Sequence, residues 1–449
     1  MATIYIDPTV TGTGTGTLGD PFKSWASVTW VAGNTYLQAA GTTQVGYKVQ
    51  VNTGGTSEAN RVTLGSYDKT TGLRTTGGIG RAILNGVGTP QTIRVSSGVN
   101  FVTIDNFEVY GTDGTTGTKA VGVYAGNGPL LPSNDLVFTN LWVHDISAAV
   151  TPAGDNDGMQ LFGDRITVQF CLIENIPTDG LWLQGSDYRI TDNIIRNVST
   201  NDIRGDSIQT NGDVDGRNDR GYIARNYLDH LNKNSKQVII VGGIGYSADV
   251  VVEDNVCLMA PYDNIISTTC IFSESAGALI RRNICIGAYH GIFANTTGNN
   301  NRIESNICVS NQRGVSCNAT VDGTMVVNNT VDKAGMHGIY LDTTGASTAR
   351  NNAILRSAVG LAVRSTTVRG YNAFYGNATD FTALTGGGTI GANNITADPL
   401  LSTSYRPMAG SPLIGAGTHL GYRRDIEKKQ RQNPPSIGAY DLATLRTAQ

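Results

Sequence analysis

The sequence predicts an all-β solenoid: one domain of about ten short coils stacked on one another, with a cap at each end. The first observation behind this prediction is a column of residues, each of which starts a short apolar stretch such as DGMQLFG, DGLWLQG or HGIYLDT. These stretches recur at intervals of 22 to 30 residues, and a repeat that short, made of strand and turn, is typical of a parallel β-coil. The column consists of Asp157, Asp179, Asp206, Lys236, Asp263, His290, Arg313 and His337.

The second observation is a repeated asparagine that precedes the column residue in most coils. Asparagine tolerates left-handed backbone and its amide can bond to neighbouring coils, so we predict a structural ladder. The segment from this position to the column has 7 or 8 residues in the last five coils and 9 to 17 in the first five. Inserted chain usually forms loops on the binding face, so we expect a walled cleft beside the acidic half of the column. The ladder positions are Asn106, Asn140, Phe170, Asn193, Asn226, Asn255, Asn283, Asn306, Asn329 and Asn352.

Composition supports a turn-rich β-protein and excludes several classes of function. The chain has 56 glycines and only 15% charged residues, which suits strands and turns better than helices. A net charge of -3 argues against a nucleic-acid partner held by phosphate contacts. There is no apolar run of 18 residues and no secretory signal, so we expect no membrane insertion. We expect an extracellular protein that loses a signal or is assembled into a virus particle.

The segments along the chain predict three parts. Residues 1–94 contain short strands and an irregular Thr/Gly-rich region, which predicts an N-terminal cap and first irregular coils, because an open sheet edge needs a cover. Residues 95–371 hold the regular repeats and the cleft. Residues 372–449, where the repeat fades, are predicted to form the last irregular coils and a C-terminal cap.

The cysteines predict a buried stack of thiols. Cys257, Cys285 and Cys308 each lie two residues after a ladder asparagine, and free cysteine behaves as a small buried hydrophobe. Disulfides and a metal site are the less favoured alternatives, since no CxxC pair exists.

Alternation within a coil separates the core from the outer surface. The outward side chains next to the column include Trp182, which offers a flat apolar face to a sugar ring, although exposed aromatic residues also occur without function. The expected core residues are Met159, Leu161, Leu181, Leu183, Ile208, Thr210, Val238 and Ile240. The expected outer residues are Gln160, Trp182, Gln209 and Ile239.

The opening YIDPTVTGTGTGTLGDPFKSW and the closing SPLIGAG and IGAYD, together with the repeats, resemble the right-handed parallel β-helix superfamily. That superfamily includes pectate lyases, polygalacturonases and bacteriophage tailspike depolymerases. The resemblance implies a single right-handed parallel β-helix and a polysaccharide substrate. A tailspike would in addition imply a homotrimer.

Two motifs resemble catalytic motifs of that superfamily. Pro177-Thr178-Asp179-Gly180 and Gly205-Asp206-Ser207 fall on the NTDG and DDC motifs of polygalacturonases, which implies catalytic roles for Asp179 and Asp206. Gly205 replaces one aspartate of that pattern, and Lys236 stands where a histidine is expected. A second resemblance, to calcium-dependent lyases, implies a lysine base at Lys236. It also implies a Ca²⁺ site at Asp155, Asp157 and Asp179 beside Asp206.

The acidic half of the column suggests acid–base chemistry. Adjacent coils lie roughly 4.8 Å apart, and two carboxylates about 5 Å apart repel by roughly 3 kcal/mol at an effective dielectric near 20. Asp157, Asp179 and Asp206 therefore need a shared proton or a nearby cation. We favour hydrolysis of a glycosidic bond by paired aspartates, which requires no cofactor; the retaining and inverting geometries both stay open.

Three alternatives remain at this stage. The first is a lyase, with Lys236 as base and with Ca²⁺ or Arg204 or Arg217 neutralising a uronate; three aspartates would, however, raise the pKa of that lysine. The second is binding without cleavage. The third is structural, because aspartate before glycine is common at turns for backbone reasons alone.

The remaining polar residues receive less specific predictions. The expected substrate-binding residues are Trp182, Gln160, Gln209, Arg204, Arg217 and His144. His144 opens the longest bend, where a polar loop without function is the alternative. His290, Arg313 and His337 lie on short coils, and we expect them to be solvated surface. Residues 212–219 have some character of a calcium loop, but no glutamate closes it.

Overall fold

The structure is a computed structural model. It describes residues 1–113, 119–147, 156–200, 205–211, 218–230, 236–243, 247–262, 268–295, 299–318, 320–364, 366–386, 388–421 and 424–442.

The fold is all-β, and its strands form three sheets of 15, 13 and 13 strands. The sheets are parallel except for Arg74–Thr75, which pairs antiparallel with Val62–Tyr67. Each coil contributes one strand to sheet 1, then one to sheet 2 and one to sheet 3. This is the arrangement of a single right-handed parallel β-helix, as predicted.

Sheet 1 contains Thr3–Ile6, Thr35–Ala39, Val62–Tyr67, Arg74–Thr75, Val102–Asp105, Leu136–Thr139, Thr167–Gln169, Arg189–Thr191, Tyr222–Ala224, Val251–Glu253, Leu279–Arg281, Arg302–Glu304, Met325–Val327, Thr348–Arg350 and Val368–Gly370. Sheet 2 contains Thr43–Val45, Ala82–Asn85, Phe107–Tyr110, Trp142–His144, Leu172–Glu174, Ile194–Arg196, Tyr227–Asp229, Val256–Pro261, Ile284–Ala288, Ile307–Val309, Thr330–Asp332, Ala353–Leu355 and Ala373–Tyr375. Sheet 3 contains Val49–Val51, Gln91–Val95, Val121–Ala125, Met159–Phe162, Leu181–Gln184, Ile208–Asn211, Gln237–Gly242, Thr269–Ser273, His290–Ala294, Arg313–Cys317, His337–Leu341, Val359–Val363 and Thr379–Ala383.

Helical structure is confined to two single turns of 3₁₀ helix, Trp25–Ser27 and Glu58–Asn60, within the described ranges. The first turn is capped by the Ser24 side chain, which accepts from the backbone N–H of Ala26. None of the described residues forms a helix with the length and apolar character that a membrane crossing requires.

The residues group into two compact units. The first comprises 1–222 and 226–230, and it contains Asp157, Asp179 and Asp206 of the column. The second comprises 223–225 and 231–449, and it contains the column positions from Lys236 onward.

Strands of all three sheets are already present between Thr35 and Val51, and the last strand ends at Ala383. The coils therefore extend beyond residues 95–371 at both ends. In the C-terminal segment, Leu413 and Ile437 are buried against Ala353 and Ala373 of sheet 2. The segment thus packs against sheet 2 in the second unit.

The bend between sheets 1 and 2 contains the asparagine ladder. In the second unit the Asn255 side-chain N–H₂ donates to Oδ1 of Asn283 at 3.0 Å, and the same bond links Asn283 to Asn306 and continues to Asn372. From Asn193 onward, the residue before each ladder asparagine has the left-handed backbone. In the earlier coils Asn106, Asn140 and Phe170 themselves occupy that left-handed position, one residue before the ladder.

The core follows the predicted alternation in the first unit. Met159, Leu161, Leu181, Leu183 and Ile208 are fully buried. In the second unit Cys257 pairs in register with Cys285, and Cys285 with Cys308. All six cysteines are free and buried, and burial raises the pKa of the Cys285 thiol well above its usual value. The predicted thiol stack is confirmed.

Candidate functional site

The glycine after the column residue lies at a corner of the coil and faces the core. A Cβ on Gly158 would lie 2.9 Å from Cγ2 of Ile173, and one on Gly180 would lie 2.7 Å from Cγ2 of Ile195. Both isoleucines are core residues of sheet 2. This position therefore points into the core, as do the following residues Met159 and Leu181, so the backbone departs from strict alternation at this corner.

The aspartate row, defined as Asp157, Asp179 and Asp206, forms a ladder of its own at this corner. Oδ1 of Asp157 accepts the backbone N–H of Asp179 at 3.2 Å, and Oδ1 of Asp179 accepts that of Asp206 at 2.7 Å. All three aspartates are buried. Backbone N–H donors stabilise carboxylates, so part of the mutual repulsion expected from the sequence is offset by the backbone itself.

The coil of Asp206 has serine where the two preceding coils have glycine. Ser207 points inward, and its Oγ lies 2.7 Å from Nε2 of His230. Both residues are fully buried. The pair fixes the backbone directly after Asp206, a role that the spacing of the motifs did not indicate.

The outer surface of sheet 3 in the first unit carries an aromatic cluster, which we call the platform: Tyr124, Phe162 and Trp182. The rings of Phe162 and Trp182 pack edge to face with centroids 5.6 Å apart, and those of Tyr124 and Phe162 are 5.9 Å apart. Trp182 and Tyr124 are partly exposed, whereas Phe162 is buried beneath them. The platform presents an apolar surface bounded by ring edges.

Two cationic side chains lie beside rings of the platform. The Arg94 guanidinium carbon lies 4.1 Å from the Tyr124 ring centroid, and Nζ of Lys119 lies 5.5 Å from that of Trp182. Among the described residues, Arg94 forms no ion pair with a carboxylate. The outer surface near the aspartate row is thus aromatic and basic.

The predicted glutamines lie on the same outer row. Gln160 pairs in register with Tyr124 and Trp182, and Trp182 pairs with Gln209. Gln209 is partly exposed, but Gln160 is only 2% exposed and its Oε1 has no hydrogen-bond partner in the described part of the chain. The expectation that Gln160 lies at the surface is wrong, because the large side chains on either side cover it.

The strand Gln237–Gly242 has a register one residue different from the prediction. Ile239 pairs with the core residue Ile271 and is fully buried, while Ile240 pairs with the outward Phe272. Gln237, and not Lys236, aligns with Thr269 at the column position. Lys236 is exposed and precedes this position.

The column position of the next coil is also different. Thr269 pairs with His290, so threonine occupies the place that the sequence repeat gave to Asp263. Asp263 itself lies outside the described residues, as do Asp155, Arg204 and Arg217 and nearly all of the calcium-like segment 212–219. Within the described part of the chain, no group of three or more His, Cys, Asp or Glu side chains is arranged to hold a metal ion.

His144 belongs to sheet 2, a different sheet from the one that carries the platform. Its ring stacks on Trp142 at 4.2 Å, and its Nδ1 lies 2.9 Å from Oδ2 of Asp145. Its Nε2 lies 3.3 Å from Oε1 of Glu108. His144 is 8% exposed, and its ring nitrogens are already engaged by side chains of the protein.

His290, Arg313 and His337 are not the solvated surface that we expected. His290 is 4% exposed, and its Nδ1 lies 2.6 Å from Oγ of Ser316. Burial, reinforced by the charge of Arg313, lowers the pKa of His290 to about 3. His337 is half-buried, and the same two causes lower its pKa. Short coils bring these side chains close together, which a count of loop residues does not reveal.

Comparison with solved structures identifies the fold. The structure described as XylC in complex with xylose covers 98% of this chain and 98% of its own, at 10% identity and a TM-score of 0.59. The chain has the right-handed parallel β-helix fold.

Other comparisons are more distant. An alginate lyase from Paenibacillus sp. str. FPU-7 matches at 14% identity over 76% of this chain and 98% of its own, with a TM-score of 0.44. The Dettilon tailspike protein matches at 15% identity over 77% of this β-helix chain and 60% of its own, with a TM-score of 0.43. The family model described as periplasmic copper-binding protein (NosD) matches residues 232–397, less than half of the chain. No curated protein matches the sequence.

Proposed function

We propose that this β-helix protein is a polysaccharide depolymerase that binds an anionic polymer across the outer face of sheet 3 in the first unit. The observation that carries the proposal is the partly exposed Trp182. It lies in the strand Leu181–Gln184, three residues after Asp179. Its ring packs edge to face with Phe162 and has Lys119 beside it. Sugar rings pack their apolar faces on such aromatic surfaces.

The charge of the platform supports an acidic substrate. Arg94 and Lys119 place positive charge at both ends of the aromatic row, and positively charged clefts attract anionic ligands. We therefore favour a polymer that contains uronic acid or another acidic sugar.

We assign cleavage to the aspartate row by acid–base hydrolysis. One carboxylic acid protonates the glycosidic oxygen, and a second carboxylate activates water or attacks the anomeric carbon. Oδ1 of Asp179 already accepts the N–H of Asp206, so we assign the chemistry at this residue to Oδ2. Hydrolysis of this kind requires no cofactor, and a role for Ca²⁺ would place Asp155, Asp157 and Asp179 around the ion.

One observation favours a second candidate, binding without cleavage. Asp157 and Asp179 each act as acceptors in a backbone ladder, which explains the recurrence of aspartate without any chemistry. In that case the platform alone would hold the polymer. For both candidates we propose a location outside the cell. For a tailspike we also propose assembly as a homotrimer.

A panel of anionic polysaccharides tests the function. New reducing ends without ultraviolet absorbance indicate hydrolysis, whereas an unsaturated product that absorbs in the ultraviolet indicates elimination, for which Lys236 is the candidate base. Asp179→Asn and Asp206→Asn are the informative variants. Asp187→Asn is the matched control, because Asp187 pairs with Arg220 at the surface. Binding without any shortening of the polymer by the wild-type protein would overturn the depolymerase.

A further inference from the structure

Three consecutive coils of the second unit present basic side chains at the column position. His290 pairs in register with Arg313, and Arg313 with His337. Neighbouring strands lie roughly 4.8 Å apart, so the three side chains form a continuous row. No acidic residue occupies these column positions.

Arg313 lacks the carboxylate partner that neighbouring arginines have. Arg282 pairs with Asp254 at 2.8 Å and Arg356 with Asp332 at 2.7 Å. Arg313 forms no ion pair among the described residues; its guanidinium carbon lies 4.1 Å from the Tyr340 ring centroid and 5.6 Å from that of Tyr289. Its Nε is buried and donates to no described group. The guanidinium thus packs against aromatic rings, and its planar set of N–H donors can bind another group.

His337 has an unsatisfied ring nitrogen on the adjacent coil. Its Nδ1 is buried without a hydrogen-bond partner in the described residues, and its ring lies 5.0 Å from that of Tyr340. Burial and the charge of Arg313 lower the pKa of His337, so the imidazole is neutral near pH 7 and has one N–H to donate. A buried polar atom without a partner is uncommon and suggests a ligand.

The side chains beside these two residues are held by ring stacking and a hydrogen bond. His290 stacks on Phe293 with ring centroids 4.3 Å apart, and its Nδ1 is bound to Ser316. Phe293 and Tyr340 flank Ser316 in register on the outer row of sheet 3. The partly exposed Tyr340 gives the row an apolar face next to the guanidinium.

We propose that Arg313 and His337 bind the carboxylate of a uronic acid unit whose sugar ring packs against Tyr340. Guanidinium matches a carboxylate with two parallel hydrogen bonds, and the tyrosine face suits the ring. A sulfate ester on a sugar offers the same oxyanion chemistry. The site belongs to the second unit alone, and its evidence is independent of cleavage by the aspartate row.

Histidine imidazole NMR spectra of the full chain test the site, because the protein has only five histidines. The ligands are trigalacturonate, maltotriose as the neutral counterpart and sodium sulfate as the free anion. Trigalacturonate is expected to shift the His337 signals saturably and to raise the pH midpoint of His337, because a carboxylate stabilises imidazolium. Maltotriose is expected to leave both unchanged.

Substitutions at Arg313 define the outcome. Arg313→Gln is expected to weaken trigalacturonate binding about tenfold or more, since it removes charged hydrogen bonds. Arg313→Lys keeps the positive charge and is expected to retain part of the affinity. It serves as a second variant in case Arg313→Gln does not fold. Arg302→Gln, at an exposed arginine that pairs with Glu304, is the matched control. If sulfate bound as strongly as trigalacturonate, the site would hold an adventitious ion only, and the proposal would be overturned. Equal binding by Arg313→Gln and wild type would also overturn the proposal.

Discussion

The backbone N–H of Asp206 donates a 2.7 Å hydrogen bond to Oδ1 of Asp179, one coil earlier in the first unit. The same bond joins Asp179 to Asp157. At the bend between sheets 1 and 2, the backbone N–H of Asn193 donates to Oδ1 of Asn226, one coil later. Aspartate at these positions therefore has a structural role that asparagine can replace. Any chemistry of the carboxylate comes in addition to that role.

This relationship predicts how Asp179 variants affect stability. Asp179→Asn keeps an oxygen for the N–H of Asp206, so we expect the free energy of unfolding to change little. Asp179→Ala leaves a buried N–H without a partner and is expected to cost about 1–3 kcal/mol. Urea unfolding followed by circular dichroism measures both. Equal losses for the two variants would show that the ladder bond does not matter.

A second prediction concerns Gly180. A Cβ at this position would lie 2.7 Å from Cγ2 of Ile195 and 2.8 Å from the carbonyl oxygen of Ser207. Overpacking of this kind costs about 1–3 kcal/mol, so Gly180→Ala should lower the thermal midpoint clearly. Gly19→Ala, at a position with open space around it, is the control and should leave the midpoint unchanged. An unchanged midpoint for Gly180→Ala would contradict the inward direction of this position.

The third prediction concerns the platform. Trp182→Ala should weaken binding of the anionic polymer about tenfold or more, because an aromatic contact of this size contributes roughly 1.5–3 kcal/mol. Tyr227→Ala removes an exposed aromatic side chain from sheet 2 and should have no effect. Calorimetric titration with oligosaccharides compares the two. If both variants bound as well as wild type, sheet 3 would not be the binding face.

The fourth prediction is a dependence of stability on pH that arises from His290. Its pKa is about 3 in the folded protein and near 6.5 when unfolded. Between these values the unfolded chain binds a proton that the folded chain does not, so stability falls as the pH drops from about 6.5 towards 3. Above about pH 6.5, His290 is neutral in both states and does not change the free energy of unfolding with pH.

His290→Gln should therefore lose less stability than wild type between pH 7 and about pH 4.5. Urea unfolding at the two pH values measures the difference, with the exposed His419→Gln as control. Identical pH dependence of wild type and His290→Gln would mean that this histidine is accessible to protons in the folded state.

The sequence predicted the fold because its repeats are local and regular. Glycine after the column residue and the apolar alternation of Met159 and Leu161 follow from packing rules that act within one coil. The cysteine stack was predictable for the same reason, since Cys257, Cys285 and Cys308 keep one offset from the ladder asparagines.

The sequence-based predictions were wrong where contacts between neighbouring coils determine strand register or side-chain burial. The register of Gln237–Gly242 is set by pairing with Thr269–Ser273, and a strand that is apolar throughout carries no alternation to reveal it. His290 is polar in sequence but buried by Phe293, Tyr289 and Ser316 of its own and adjacent coils. The bonds within the aspartate row likewise join residues 22 and 27 positions apart, which motif spacing alone cannot distinguish from catalysis.

The most direct test of the central claim is the rate at which Asp179→Asn shortens a polymer that the wild-type protein cleaves. The proposal predicts a loss of at least about a hundredfold in new reducing ends, because general acid–base catalysis typically contributes 10²–10⁴-fold. The unfolding free energy and polymer affinity should stay near those of wild type. Full activity in Asp179→Asn would contradict the claim and leave Asp179 with its structural role alone.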